Sequence, residues 1–167
     1  MKIAFVHYHL RPGGVATVIR RQIAALAGAA DCLVITGEAP HEDFPGDIAV
    51  VPGIGYTRSA ASPSPSLEAA EKAASAVMTA ITRKWKDGCD ICHVHNPLLA
   101  KNRGFLKILS ILQDSGVRLF LQVHDFAENG RPNAYFSDEP YPSECHYGVI
   151  NSRDRDILRK AGLRDAG

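Results

Sequence analysis

The feature that most constrains this chain is a repeated alternation. Short runs rich in β-branched residues are each followed by a longer segment with helical periodicity. The first run, Lys2 to His7, stays apolar until polar residues and glycine take over. A helix opens at Gly13-Gly14, with Val15, Val18, Ile19, Ile23 and Leu26 at spacings of three and four as its buried stripe and Arg20, Arg21 and Gln22 off that stripe. Asp31 to Thr36 (DCLVIT) and Ile48 to Val51 predict two further strands, and Asp90 to His95, Val117 to Val123 and His146 to Asn151 three more. Between and after these lie a helix over Gly104 to Gln113 and a terminal helix, capped by Ser152 and stopped at Gly162. Strands joined by helical crossovers run parallel and are covered on both faces. The expected fold is therefore α/β: a Rossmann-like, doubly wound, mostly parallel sheet with helices on both faces, spanning residues 1–167 as one domain.

Residues 52–66 (PGIGYTRSAASPSPS) are too dense in Gly, Pro and Ser for regular structure, and a loop of this length is either mobile or functional. Ser66 ends it as an N-cap. Leu67, Ala70, Ala74, Val77, Ile81 and Trp85 then give a long amphipathic helix, with Glu68 and Glu71 early and Arg83, Lys84 and Lys86 late, as the helix dipole favours.

Composition narrows the function classes. With 167 residues, 46% of them hydrophobic, the chain can bury roughly 70% of its unfolded surface and needs no disulfide or metal to complete a core. Nineteen Lys and Arg against eighteen Asp and Glu, a net charge of +1, supply no concentrated basic excess for nucleic acid or a membrane surface. No apolar stretch approaches the ~20 residues of a membrane span, and the opening residues do not form a signal peptide. The expected compartment is the cytoplasm, with Cys32, Cys89, Cys92 and Cys145 as reduced thiols.

Polar chemistry gathers at strand ends. His7 and His9 follow the first strand, His93 and His95 close the fourth, and His124 closes the fifth. In open α/β sheets the ligand crevice lies outside those carboxyl ends. Arg11-Pro12-Gly13-Gly14-Val15 joins the first strand to the first helix, where glycines let backbone approach a ligand and a helix N-terminus offers unpaired N–H groups to an anion such as phosphate. The same Gly-Gly also suits a plain tight turn. It is neither G-x-G-x-x-G nor a Walker loop, which counts against a dinucleotide oxidoreductase and a P-loop hydrolase.

Cys89-Asp-Ile-Cys92-His93-Val-His95 has zinc-like ligand spacing, yet within a strand Cys92 points away from His93 and His95, so the four groups do not converge. A redox use of Cys-x-x-Cys wants a helix N-terminus, and this one enters a strand. The segment from His124 to Glu144 carries Asp125, Phe126, Asn129, Arg131, Tyr135, Phe136 and Tyr141. Such a loop after a strand end is either a binding loop suited to a sugar's ring face and hydroxyls or a surface flap pinned by its aromatics.

The blocks MKIAFVHYHLRPGGVATVIRRQIAAL, CDICHVHNPLL, LFLQVHDFAENGRPNAYF and YGVINSRDRDILRKAGL, in this order and over most of the chain, resemble the N-terminal domain of glycosyltransferase family 4. That family is the retaining GT-B group related to glycogen and sucrose synthases. The resemblance implies one half of a GT-B architecture: an acceptor-side Rossmann-like domain facing, across a cleft, a second domain that holds the nucleotide of the sugar donor. It implies that Gly13 and Gly14 lie against the donor diphosphate and that His124 is the catalytic-site residue touching the transferred sugar. The block His93 to Asn96, with His95, would line the cleft, and Arg131 would contact the acceptor; Asp125 is a substrate-binding candidate from its own place at a strand end.

It further implies a hexosyltransferase-like enzyme with retained anomeric configuration, a nucleotide sugar as substrate, and no cofactor or metal. The sequence departs from the family's pattern after Leu163, where the linker and the nucleotide-binding half, with its paired glutamates and basic residues, do not follow. The expectation is an excised or naturally truncated half, inactive without a C-terminal domain in cis. Two other readings stay open: a non-catalytic sugar-binding or regulatory module, and, more weakly, a metal-dependent hydrolase using the strand-end histidines and Asp125. Peripheral membrane association through residues 52–66, with Arg58, is a further open point.

Overall fold

A computed structural model describes residues 1–57, 65–124, 136 and 139–163 of the chain. Six strands form one sheet: β1 (Lys2–His7), β2 (Asp31–Thr36), β3 (Asp47–Val50), β4 (Ile91–His95), β5 (Leu119–Val123) and β6 (His146–Val149). Their spatial order is β3-β2-β1-β4-β5-β6, and all five pairings are parallel. The helices are α1 (Gly14–Ala25), α2 (Leu67–Lys84), α3 (Phe105–Asp114) and α4 (Ser152–Lys160). This is the doubly wound, Rossmann-like α/β fold that the alternation predicts.

The two faces of the sheet are read directly from the period of two. Ala4, Val6 and Tyr8 of β1 and the segment after it pack with Cys92, Val94, Leu119, Leu121 and the apolar stripes of α2, α3 and α4. Ile3 and Phe5 turn the other way, against Ala16 and Ile19 of α1 and Val34 of β2. Burial of β1 on both faces is why its sequence is a near-continuous apolar run rather than an alternating one.

Local chemistry sets the ends of the helices. The Ser66 side chain accepts the Ala69 N–H at 3.2 Å, the cap expected for α2. Ala70, Ala73, Ala74, Val77 and Ile81 are buried, whereas Leu67, the first helical residue, is 58% exposed. The cap of α4 is Asn151 and not Ser152: Asn151 is extended, and its side-chain oxygen accepts the Asp154 N–H at 2.9 Å while its amide donates to the Asp154 carboxylate at 2.7 Å. Within residues 52–66 the structure places a 3₁₀ turn, Pro52–Ile54, pressed onto α2 at Ala73. Residues 58–64, Arg58 among them, lie outside the described residues.

The sheet has one topological switch. From β1 the chain winds outward through β2 to β3, then returns to β4 on the other side of β1 and continues outward to β6. The connections after β1 and β4 therefore diverge, and the crevice between them lies at the carboxyl ends of the two central strands. Tyr8, fully buried just past β1, braces that edge by donating its hydroxyl to the carbonyls of Leu99 (2.7 Å) and Asn96 (3.2 Å) beyond β4. Among the described residues no helix is long and apolar enough to cross a membrane.

Candidate functional site at the switch point

Alternation along the strands gathers the imidazoles on one face. In β4, Cys92 and Val94 face the α2–α3 core, so His93 and His95 face the α1 side, as does Gln122 of β5. The His93 and His95 rings stack at 4.4 Å with an interplanar angle of 18°, and the His95 and His124 rings lie 5.2 Å apart at 15°. His7 meets His95 edge-on at 6.4 Å and donates its Nδ1–H to the His95 carbonyl at 3.1 Å. The Cys92 thiol thus lies across the sheet from both β4 histidines. Among the described residues no group of three or more His, Cys, Asp or Glu is arranged to hold a metal ion.

Each histidine has a distinct setting. His93 is the middle residue of β4 rather than its end, packed between Phe5 at 5.1 Å and the edge of Phe120 at 4.6 Å, with Nε2 at 2.8 Å from the Gln122 side-chain oxygen. His95 is fully buried, and its Nδ1 lies 2.9 Å from His124 Nε2. The backbone N–H of His124 donates to the Asn96 side-chain oxygen at 2.7 Å. Asn96, 4% exposed, has a φ of 51°, the left-handed conformation that asparagine tolerates better than most residues. His95 and Asn96 thus hold His124 from the neighbouring strand end, one through its ring and one through its main chain.

Burial sets the charge state of this cluster. Desolvation holds the pKa of His7 down to about 4, partly opposed by its bond to the His95 carbonyl. The same cause holds His93 at about 4 against its bond to Gln122, and His95 at about 2, where the neighbouring imidazoles add to it. His9 is lowered more gently, by burial and then by Arg11. At neutral pH His7, His93 and His95 are therefore uncharged, and such imidazoles act through hydrogen bonds rather than through charge.

The first loop brings the other element. Arg11 closes a two-pronged bond to Glu38, at 2.5 and 2.8 Å, tying the β1–α1 connection to the segment beyond β2. Gly13 is the N-cap of α1, with no side-chain cap and no acidic residue in the first turn. Its φ of 170° is ordinary extended backbone, and a Cβ added at Gly13 would come no closer than 3.8 Å to other atoms, while one at Gly14 would meet nothing within 4 Å. Neither glycine is demanded by packing among the described residues. Together they leave the N–H end of α1 without a side-chain cap beside the switch point.

Asp125 and Arg131 lie outside the described residues, as does Asn129. Gln122, Gln22 and Tyr8 escaped the sequence reading. Gln22 does not lie off the buried stripe of α1: its amide donates to the Gln122 side-chain oxygen at 2.9 Å, because α1 covers the sheet at a polar patch and only Ala16 and Ile19 of the helix are buried. The signal for Gln122 was present, since in Leu-Phe-Leu-Gln-Val-His it falls two residues from both Phe120 and His124, on the His face.

No family model matches the chain, and no curated protein matches it. Solved structures give faint likenesses. One is the Phytolacca americana UGT2 complexed with UDP-2-fluoro-glucose and pterostilbene, at 9% identity and a TM-score of 0.44, over 76% of this chain and 31% of that one. Another is the nicotinate-nucleotide-dimethylbenzimidazole phosphoribosyltransferase of Thermus thermophilus, at 15% identity and a TM-score of 0.42, over 98% of this chain and 73% of that one. This chain thus spans about a third of the length of the plant protein. Neither TM-score reaches one half, so these likenesses say nothing about what this chain binds.

Proposed function

We propose that this chain is the N-terminal, acceptor-side half of a retaining GT-B glycosyltransferase of the family 4 type, moving a sugar from a nucleotide-sugar donor to an acceptor. The diphosphate would lie against Gly13 and Gly14 and the transferred sugar beside His124, with a nucleotide-binding domain in cis facing the switch point. Catalysis in this half would come from position and from preorganised N–H groups at the departing diphosphate, with no resident cofactor or metal. Asp125 and Arg131 would complete the sugar and acceptor contacts.

The observation that carries this reading is a pair of glycines that no packing among the described residues requires. A helix end without a side-chain cap at the crevice, on the edge that carries the uncharged His7, His93 and His95, suits a ligand that is anionic at one end and hydroxyl-rich at the other. The test uses UDP as probe in titrations of the 15N-labelled chain. UDP is expected to shift the amides of Gly14, Val15 and Ala16. Gly14→Val, whose Cβ would meet no described atom within 4 Å, is expected to stay folded and to lose the shifts. No amide response at millimolar UDP, or an unchanged response in Gly14→Val, overturns the diphosphate assignment. Transfer itself is tested by incubating the product of the whole reading frame with a panel of nucleotide sugars and following nucleoside diphosphate release. Binding without release, in every combination, would favour a non-catalytic module.

A further inference from the structure

His124 has a ring nitrogen 2.9 Å from a ring nitrogen of His95, and only one of the two can carry the shared proton. The other nitrogen of His95 decides which. His95 is fully buried, and among the described residues its Nε2 has no hydrogen-bond partner. Were the proton on His95 Nε2, the interior would contain an orphaned N–H donor, which folded proteins avoid more strictly than an unpaired acceptor. The proton of His95 therefore belongs on Nδ1, pointing at His124.

We propose that His95 is a positioning residue, whose Nδ1–H fixes His124 as its Nδ1–H tautomer by occupying the His124 Nε2 lone pair. This inference rests on the reading of the switch point as the ligand site. Three further observations support the geometry. The Asn96 side chain holds the His124 main chain at 2.7 Å, the two rings are nearly coplanar at 15°, and His7 donates to the His95 carbonyl, so the donor strand end is itself anchored. When uncharged, the His124 ring then carries its proton on Nδ1, and its Nε2 lone pair, taken by His95, does not act as a general base.

The experiment reads imidazole 15N shifts through two-bond 1H–15N correlations in the uniformly labelled chain near neutral pH. The wild type is expected to show protonated Nδ1 and unprotonated Nε2 at both His95 and His124, with the alternative tautomer about fivefold or more less populated. His95→Asn keeps a short amide donor and is expected to preserve the His124 pattern. His95→Phe keeps a ring without a donor and is expected to release His124 to a mixture or to the Nε2–H form. A wild-type His124 protonated at Nε2 refutes the proposal, as does an unchanged His124 in His95→Phe. Should His95→Phe not fold, the wild-type spectrum and His95→Asn still decide. UDP titration separates the two readings. If UDP fails to bind the wild type while the tautomer is as stated, the ligand assignment falls and the positioning role stands. If UDP binds and His124 is the other tautomer, the reverse holds.

Discussion

Asn96 joins the fold to the site in two ways that substitution can separate. Its φ of 51° requires a residue that tolerates the left-handed region, and its side-chain oxygen takes the His124 N–H at 2.7 Å. Asn96→Ala removes the acceptor, leaving that N–H unpaired at a cost of about 1–3 kcal/mol. It also places a Cβ-bearing residue without asparagine's local tolerance in the left-handed well, for about 1 kcal/mol more. Asn96→Gly suffers only the first loss. The expected destabilisation is about 2–4 kcal/mol for Ala and about 1–3 kcal/mol for Gly, with glycine the better by about 1 kcal/mol. Equilibrium urea unfolding, followed by Trp85 fluorescence, measures both, since Trp85 is 6% exposed when folded and its environment changes on unfolding. If Ala equals or exceeds Gly in stability, backbone strain at this position has no weight. If both lie within about 0.5 kcal/mol of the wild type, the bond to His124 has none.

Three further outcomes are expected. A Cβ at Gly37 would overlap the Gly55 backbone and the Tyr8 carbonyl, so Gly37→Ala should cost about 3 kcal/mol or more, visible as a large fall in Tm. The depressed pKa values of His7 and His93 make the unfolded chain bind more protons than the folded one between about pH 6.5 and 4, so stability should fall as pH drops through that window. Each contributes about 2 kcal/mol of that loss by about pH 4.5, and His93→Gln should flatten the profile; an equal slope in the variant would show that His93 titrates normally. Among the thiols, Cys92 and Cys145 are buried and Cys32 and Cys89 half-buried, so mass spectrometry after brief native alkylation should find label at the latter pair and protection at Cys92 and Cys145.

The sheet was readable because its strands are short apolar runs bounded by glycine and polar residues, and β1 and β2 were bounded to the residue: Lys2 to His7 and Asp31 to Thr36. The long helix was equally plain, from Ser66 as cap to the alanine-rich stripe. What failed was local competition between neighbours. Asn151 and Ser152 are both good caps, and the choice depends on the extended backbone of Asn151, which no pattern encodes. Gln22 looked like a solvent-side residue because nothing in its own helix reveals that a glutamine from a strand 100 residues away lies beneath it. At the site, the period of two brought His93 and His95 to one face and excluded Cys92, but it could not show that Asn96 turns left-handed to hold the next strand.

The strand order carries a consequence for how the molecule comes into being. β1 lies at the centre of the sheet, yet its two partners arrive at very different times: Lys2 pairs with Asp31, whereas Ile3 must wait for Ile91. A ribosome adding about 5–20 residues per second leaves one long edge of β1 unpaired for several seconds. During that interval a run such as Ile-Ala-Phe-Val is an open template for any passing strand. The register that finally joins His7 to the carbonyl of His95 closes that edge, so the contacts that shape the crevice also end the period in which the nascent chain is most exposed to misassembly.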